Sequence, residues 1–214
     1  MGQGLPFYLF LGLVHHFYLL DDLVHLNRPN CDIKRINEAR TNVDICLRPE
    51  YNYTQIDFLI HGPKDDPYTF VQQRCSLKPV LDNCLHKTVD YLSVCFNDTM
   101  NQGLEVWKNI DDNMVEYLCK NNAEVALELF NKTSSECWAT TVTQAIRECT
   151  RSLDASVPLY DAQGLSRSCS KSDEMIKCFK SHLERHCSDK VVAIGTTITG
   201  FIKNGFCSNQ GKLN

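Results

Sequence analysis

Apolar residues recur three and four positions apart along most of this chain, the spacing that lines one face of an α-helix. Val80, Leu81, Leu85, Val89, Leu92 and Val94 form one such stripe, and Met175, Ile176, Phe179 and Leu183 form a shorter one. Leu104, Trp107, Ile110, Met114 and Leu118 make a third, matched later by Val191, Ile194, Ile198, Phe201 and Ile202. A further helix is expected from Ala123 to Phe130. Alternation with a period of two, the mark of a half-buried strand, is scarce, so the expected fold class is all-α. Ser76 and Ser170 stand where helix N-caps are expected, because their hydroxyls can accept from the free amides of a first turn. Pro79 is tolerable near a helix start. The stretches 47–74 and 150–168 hold Pro and Gly and read as long loops. The first carries Tyr51, Tyr53, Phe58, Tyr68 and Phe70, which tuck onto a core or line a ligand mouth.

Twelve cysteines punctuate this pattern, at 31, 46, 75, 84, 95 and 119, then 137, 149, 169, 178, 187 and 207. The gaps in the first six are 15, 29, 9, 11 and 24, and in the second six 12, 20, 9, 9 and 20. Long and short gaps fall in the same order, which reads as an internal duplication. The expected architecture is a disulfide-rich helical protein built from two tandem six-cysteine, three-helix units. The first spans 21–122 and the second 123–207, followed by a flexible tail at 208–214. In each, helix A lies between the first two cysteines ("CDIKRINEARTNVDIC" and "CWATTVTQAIREC"). Helix B carries a cysteine triplet ("CSLKPVLDNCLHKTVDYLSVC" and "CSKSDEMIKCFKSHLERHC"), and helix C precedes the sixth cysteine.

A helix cannot bridge its own triplet. Eleven residues of helix span about 16 Å, whereas a disulfide needs Cα atoms within about 7 Å. The triplet must therefore be fastened to other elements. If A and B form an antiparallel hairpin and C runs back along B, the pairs are Cys46–Cys84, Cys31–Cys95 and Cys75–Cys119. In the second unit they are Cys149–Cys178, Cys137–Cys187 and Cys169–Cys207, with Cys187 beyond the end of its helix. Six cysteines allow about fifteen connectivities, so this set is an expectation from antiparallel packing.

The cysteines also speak to the compartment. Their number is even and no CxxC pair occurs, so the spacings of zinc ribbons and redox dithiols are missing. Disulfides in an oxidising compartment follow. Residues 1–20 contain an uncharged run from Leu5 to Leu20, expected to be a signal peptide, although no Lys or Arg precedes it. Broken by His15 and His16, the run is a poor transmembrane anchor, and no integral membrane association is expected. Three sequons, at Asn52, Asn97 and Asn131, mark exposed glycosylation positions. The expected localisation is secreted and extracellular. A net charge of -4, a pI near 6.0 and a mean hydropathy of -0.28 give no electrostatic footprint for nucleic acid and suit a globular chain.

Candidate chemistry is sparse. His182 and His186 share a helical face in "HLERH", but Glu184 sits in the wrong place for either zinc-protease order, and Cys187 is consumed by a bridge. No metal or cofactor is expected. GxSxG, P-loop and GxGxxG patterns do not occur, and paired cysteines leave no thiol nucleophile. No catalytic residue is assigned, and the chain is not expected to be an enzyme.

Three segments carry a family resemblance: "CSLKPVLDNCLHKTVDYLSVC", "NMVEYLCKNNAEVALELFNKTSSEC" and "LSRSCSKSDEMIKCFKSHLERHC" running on to "GFIKNGFC". Over residues 31–207 the chain resembles the insect 27-kDa haemolymph glycoprotein family. The resemblance implies a secreted, glycosylated, helical protein and carries no catalytic motif. The expected function is that of a non-enzymatic glycoprotein of extracellular fluid, a carrier of a small hydrophobic ligand such as a lipid or hormone-like molecule. "VVAIGTTITGFI" is rich in small residues, and Gly195 and Gly200 are expected to leave room beside its helix. The alternative is an extracellular interaction protein, an immune or venom-type effector without a small-molecule ligand. Ligand-binding residues are not assigned.

Overall fold

The computed structural model describes residues 33–47, 67–149 and 162–208. Every regular element among these residues is helical: α1 (Ile33–Leu47), α2 (Pro67–Ser76), α3 (Lys78–Leu92) with a 3-10 turn at Ser93–Cys95, α4 (Asp98–Phe130), α5 (Lys132–Cys149), α6 (Ala162–His186) and α7 (Asp189–Cys207). None of the described helices is long and apolar enough to cross a membrane. Residues 1–20, Cys31, Asn52 and most of the tail lie outside the described residues.

Packing divides the described residues into two compact units between Asn97 and Asp98, whereas the sequence boundary was drawn at 122/123. In the first unit α1 lies antiparallel to α3. Cys46, at the end of α1, is bonded to Cys84 early in α3, while Arg35, near the start of α1, reaches Tyr91 at the end of α3. The Arg35 guanidinium donates to the Tyr91 carbonyl at 2.8 and 3.2 Å and lies 4.4 Å from the centre of its ring. The Tyr91 hydroxyl in turn donates to the Glu38 carboxylate at 2.5 Å. Ala39, Val71, Cys84, Leu92, Cys95 and Phe96 are buried.

Helix α3 begins at Lys78 with Pro79 in its first turn, where the missing N–H costs nothing. Its N-cap is Leu77, which offers no side-chain acceptor, and Ser76 belongs to α2. The expected Ser76 cap is therefore not used. A Lys78–Asp82 ion pair one turn apart supports the first turn instead. Val94 also departs from expectation. The α-helix stops at Leu92, and the tighter 3-10 turn changes the angular phase. Cys95 stays buried while Val94 stands 52% exposed.

The second unit is an antiparallel set of four helices, α4 to α7. Cys149–Cys178 and Cys137–Cys187 pair α5 with α6 in opposite senses. Cys169–Cys207 and the Lys203–Asp173 ion pair do the same for α6 and α7. Helix α4 runs against α7: the rings of Trp107 and Phe206 meet edge to face at 5.5 Å, and those of Tyr117 and Phe201 at 5.8 Å. The stripe Leu104, Ile110, Met114 and Leu118 is thus buried within the same unit as α5, α6 and α7. This burial is why the packing boundary falls before α4.

Two glycines of α7 differ in purpose. A β-carbon on Gly195 would collide with Leu183 Cδ1 and crowd Trp138 and Phe179, so this glycine permits close helix packing. It does not leave the expected room. Gly200 faces open space, with nothing within 4 Å of where a β-carbon would stand.

Helix α6 begins at Ala162, well before Ser170, so the tail of the expected 150–168 loop is helical. Ser170 lies inside the helix, and its hydroxyl donates to the Arg167 carbonyl at 2.8 Å. The added turns are held by a buried stripe of small residues: Gly164, Ser168 and Ser172. Ser168 donates to the Gly164 carbonyl at 2.9 Å and Ser172 to that of Cys169 at 2.7 Å. Serine is a modest helix former, but a hydroxyl satisfied by its own helix can be buried cheaply. Likewise, the end of the expected 47–74 loop, from Pro67 onwards, is helix α2.

Candidate functional site

The predicted site residues were mostly cysteines, and the antiparallel helices explain how they meet. Among the described residues the bridges Cys46–Cys84, Cys137–Cys187, Cys149–Cys178 and Cys169–Cys207 span Cα distances of 5.7, 5.6, 5.7 and 5.0 Å. These four are pairs that nested antiparallel helices require. Cys75, Cys95 and Cys119 are disulfide-bonded as well, and no described cysteine is free. Cys187 sits immediately after α6 ends at His186, because inside the helix it would point away from α5.

One bridge has titratable company. The Cys149 and Cys178 sulfurs and a His182 nitrogen lie within 4.8 Å of one another. His182, on the turn after Cys178, is half-buried, and its Nε2 lies 3.2 Å from a Glu148 carboxylate oxygen. Both sulfurs are bonded to each other. What faces the α5–α6 seam is therefore an imidazole–carboxylate pair beside a disulfide, rather than three free donors for a metal. His186, its sequence neighbour in "HLERH", is exposed.

Next to this seam lies a deeply packed group. Trp138, Val142, Ala145 and Leu183 are each at most 1% exposed. Within it the Trp138 indole Nε1–H has no hydrogen-bond partner. A buried donor without an acceptor costs about 1–3 kcal/mol, so this atom stands out beside the buried hydroxyls of Ser168, Ser172 and Thr199, which bond to their own helices. The sequence did not single out Trp138; an aromatic on an amphipathic helix carries no signal about its polar edge.

Two sequon asparagines are described, and both stand exposed just before a helix. Asn131 precedes α5, and its Oδ1 accepts from the Thr133 amide at 3.1 Å. This is an N-cap contact. It uses the oxygen and leaves Nδ2, the atom that would carry a glycan. Asn97 immediately precedes α4.

Residues 25–204 match the model of a family described as Protein of unknown function (DUF1397). The chain belongs to this family. No curated protein and no solved structure matches it. The DUF1397 match runs from before Cys31 to just short of Cys207, so it takes in eleven of the twelve cysteines together with Trp138, Glu148 and His182. The DUF1397 region therefore takes in all the described helices except the last turn of α7 and reaches into both compact units.

Proposed function

We propose that this DUF1397 member is a secreted, non-enzymatic glycoprotein of extracellular fluid, and that it carries a small, largely apolar ligand bearing one hydrogen-bond acceptor. The observation behind the ligand is the Trp138 Nε1–H, buried and unmatched in the interior of the four-helix unit. A carbonyl, hydroxyl or carboxylate oxygen would satisfy it, and the buried Leu183 and Phe179, which meet Trp138 around Gly195, suit an aliphatic body. A secreted state is supported by the absence of free thiols among the described cysteines and by the three sequons. The bridges would keep the helices in register when a ligand enters or leaves.

The proposal includes the finer architecture of two sister six-cysteine units. Cys46–Cys84 and Cys149–Cys178 each join the second cysteine of a half to the fourth. This shared connectivity supports the reading of a duplication.

Native mass spectrometry of the chain secreted from insect cells tests the carrier. The expected result is a complex with one small apolar molecule, and reduced uptake by a Trp138→Phe variant. A clean apo mass, with no uptake of fatty acids or sterols, overturns it.

A further inference from the structure

Helix α4 contains a break at the place where the sequence separates the helix before Cys119 from the one expected to begin at Ala123. Lys120 leaves the helix with ψ 150, and Asn121, Asn122 and Ala123 then adopt left-handed backbone at φ 52, 57 and 63. One left-handed residue commonly ends a helix, and it is usually glycine. Here three occur in succession, and none is glycine. Each places its β-carbon against its own backbone. Alanine is the best helix former, and no Gly or Pro lies in "KNNAE". Asn121 and Asn122 tolerate the left-handed form, whereas Ala123 does not, so packing must hold the third residue.

The arm beyond the bend is held by burial and by polar contacts. On the far arm, 124–130, Ala126 and Leu129 are buried, with Ala123 at the bend. The Glu128 carboxylate accepts from Ser134 Oγ at 3.0 Å and faces Lys190 Nζ at 3.4 Å, tying the arm to the starts of α5 and α7. On the near side Cys119 is held by a disulfide, so the bend starts beside a fixed point.

We propose that residues 120–123 are a hinge and that the arm 124–130 is a strap over the α5 and α7 N-termini, which opens when the hinge converts to right-handed helix. Opening gives the hinge amides helical partners and relieves three left-handed residues. It uncovers Ala126, Leu129 and the apolar surface beneath them. The closed form persists because burial and the Glu128 contacts outweigh the strain. The device is independent of the carrier reading, which it would serve as an entry route.

Asn122 is exposed, so substitutions there change backbone preference without removing packing. Asn122→Gly favours the left-handed form and disfavours helix, whereas Asn122→Ala does the reverse. The test is hydrogen-exchange mass spectrometry on the full oxidised chain, following amides 123–130 against the α6–α7 core. The opening constant of the strap is expected to differ by about thirtyfold between the two variants, with the wild type between them. Glu128→Gln should also speed strap exchange while leaving the α6–α7 core unchanged. The proposal fails if both Asn122 variants shift strap exchange in the same direction. It fails equally if the strap exchanges only in step with the core in all three variants.

Discussion

Ile110 occupies the space that a side chain on Gly205 would need: a β-carbon there collides with the Cγ1 and Cδ1 of Ile110. Gly195 meets Leu183 in the same way. Gly205→Ala and Gly195→Ala are each expected to destabilise the oxidised chain by about 1–3 kcal/mol, because a packed core resists an extra methyl. Gly200→Ala should do the opposite and stabilise by about 0.5–1 kcal/mol, since that position is mid-helix and open. Guanidinium unfolding of the three variants, with disulfides intact, reads all three signs.

Trp138 offers a second contrast. Replacing it with Phe removes the unmatched Nε1–H and some volume together, and these effects oppose each other. Trp138→Phe is expected to stay within about 1 kcal/mol of the wild type, whereas Trp138→Ala, which leaves a cavity, should cost about 3–5 kcal/mol. Thermal unfolding of the ligand-free protein distinguishes them.

Loss of either second-to-fourth bridge should weaken its own unit. Cys46→Ser/Cys84→Ser and Cys149→Ser/Cys178→Ser are each expected to cost about 2–4 kcal/mol, mainly by freeing the unfolded chain. Non-reducing peptide mapping of the wild type should recover Cys46 linked to Cys84 and Cys149 linked to Cys178.

Asp173 gives a prediction in pH. Its carboxylate is held below the usual carboxylate range, first by the hydrogen bond from Lys203 at 2.5 Å and then by the charge of that lysine. A depressed folded pKa contributes stability that is present above the ordinary carboxylate pKa and lost as pH falls through the folded value. Asp173→Asn should therefore melt slightly below the wild type at neutral pH. The gap should close in acid and shrink with salt, because the pair is exposed. Melting curves from pH 2 to 7 at two ionic strengths check it.

Much of this fold was legible because helical periodicity and cysteine spacing constrain each other. The hairpin of α1 on α3 and the α5–α6–α7 arrangement follow from asking which helix ends can bring sulfurs together. The misses have local causes. Ser76 and Ser170 resembled caps, yet a serine inside a helix can satisfy itself on a preceding carbonyl, and Ser170 does so. The stripe Gly164, Ser168, Ser172 has helical spacing but too little hydrophobicity to register, which hid the first turns of α6. The helix of Leu104 and Ile110 was assigned by its cysteine, Cys119, whereas its apolar face packs with the C-terminal helices. The break at Lys120–Ala123 falls where the sequence ends one helix near Cys119 and begins another at Ala123, but its left-handed geometry had no glycine or proline to betray it. The unmatched edge of Trp138 depends on its neighbours in space, which a linear pattern does not contain.

The bridges also impose an order in time. Cys46–Cys84 and Cys169–Cys207 each close over 38 residues and Cys149–Cys178 over 29, whereas Cys137–Cys187 closes over 50. Of these thiols, Cys137 is thus left reactive longest during synthesis, while Cys149, Cys169 and Cys178 emerge behind it. Mispairing at Cys137 is the natural failure of oxidative maturation, and a disulfide isomerase should be needed most for this long clasp.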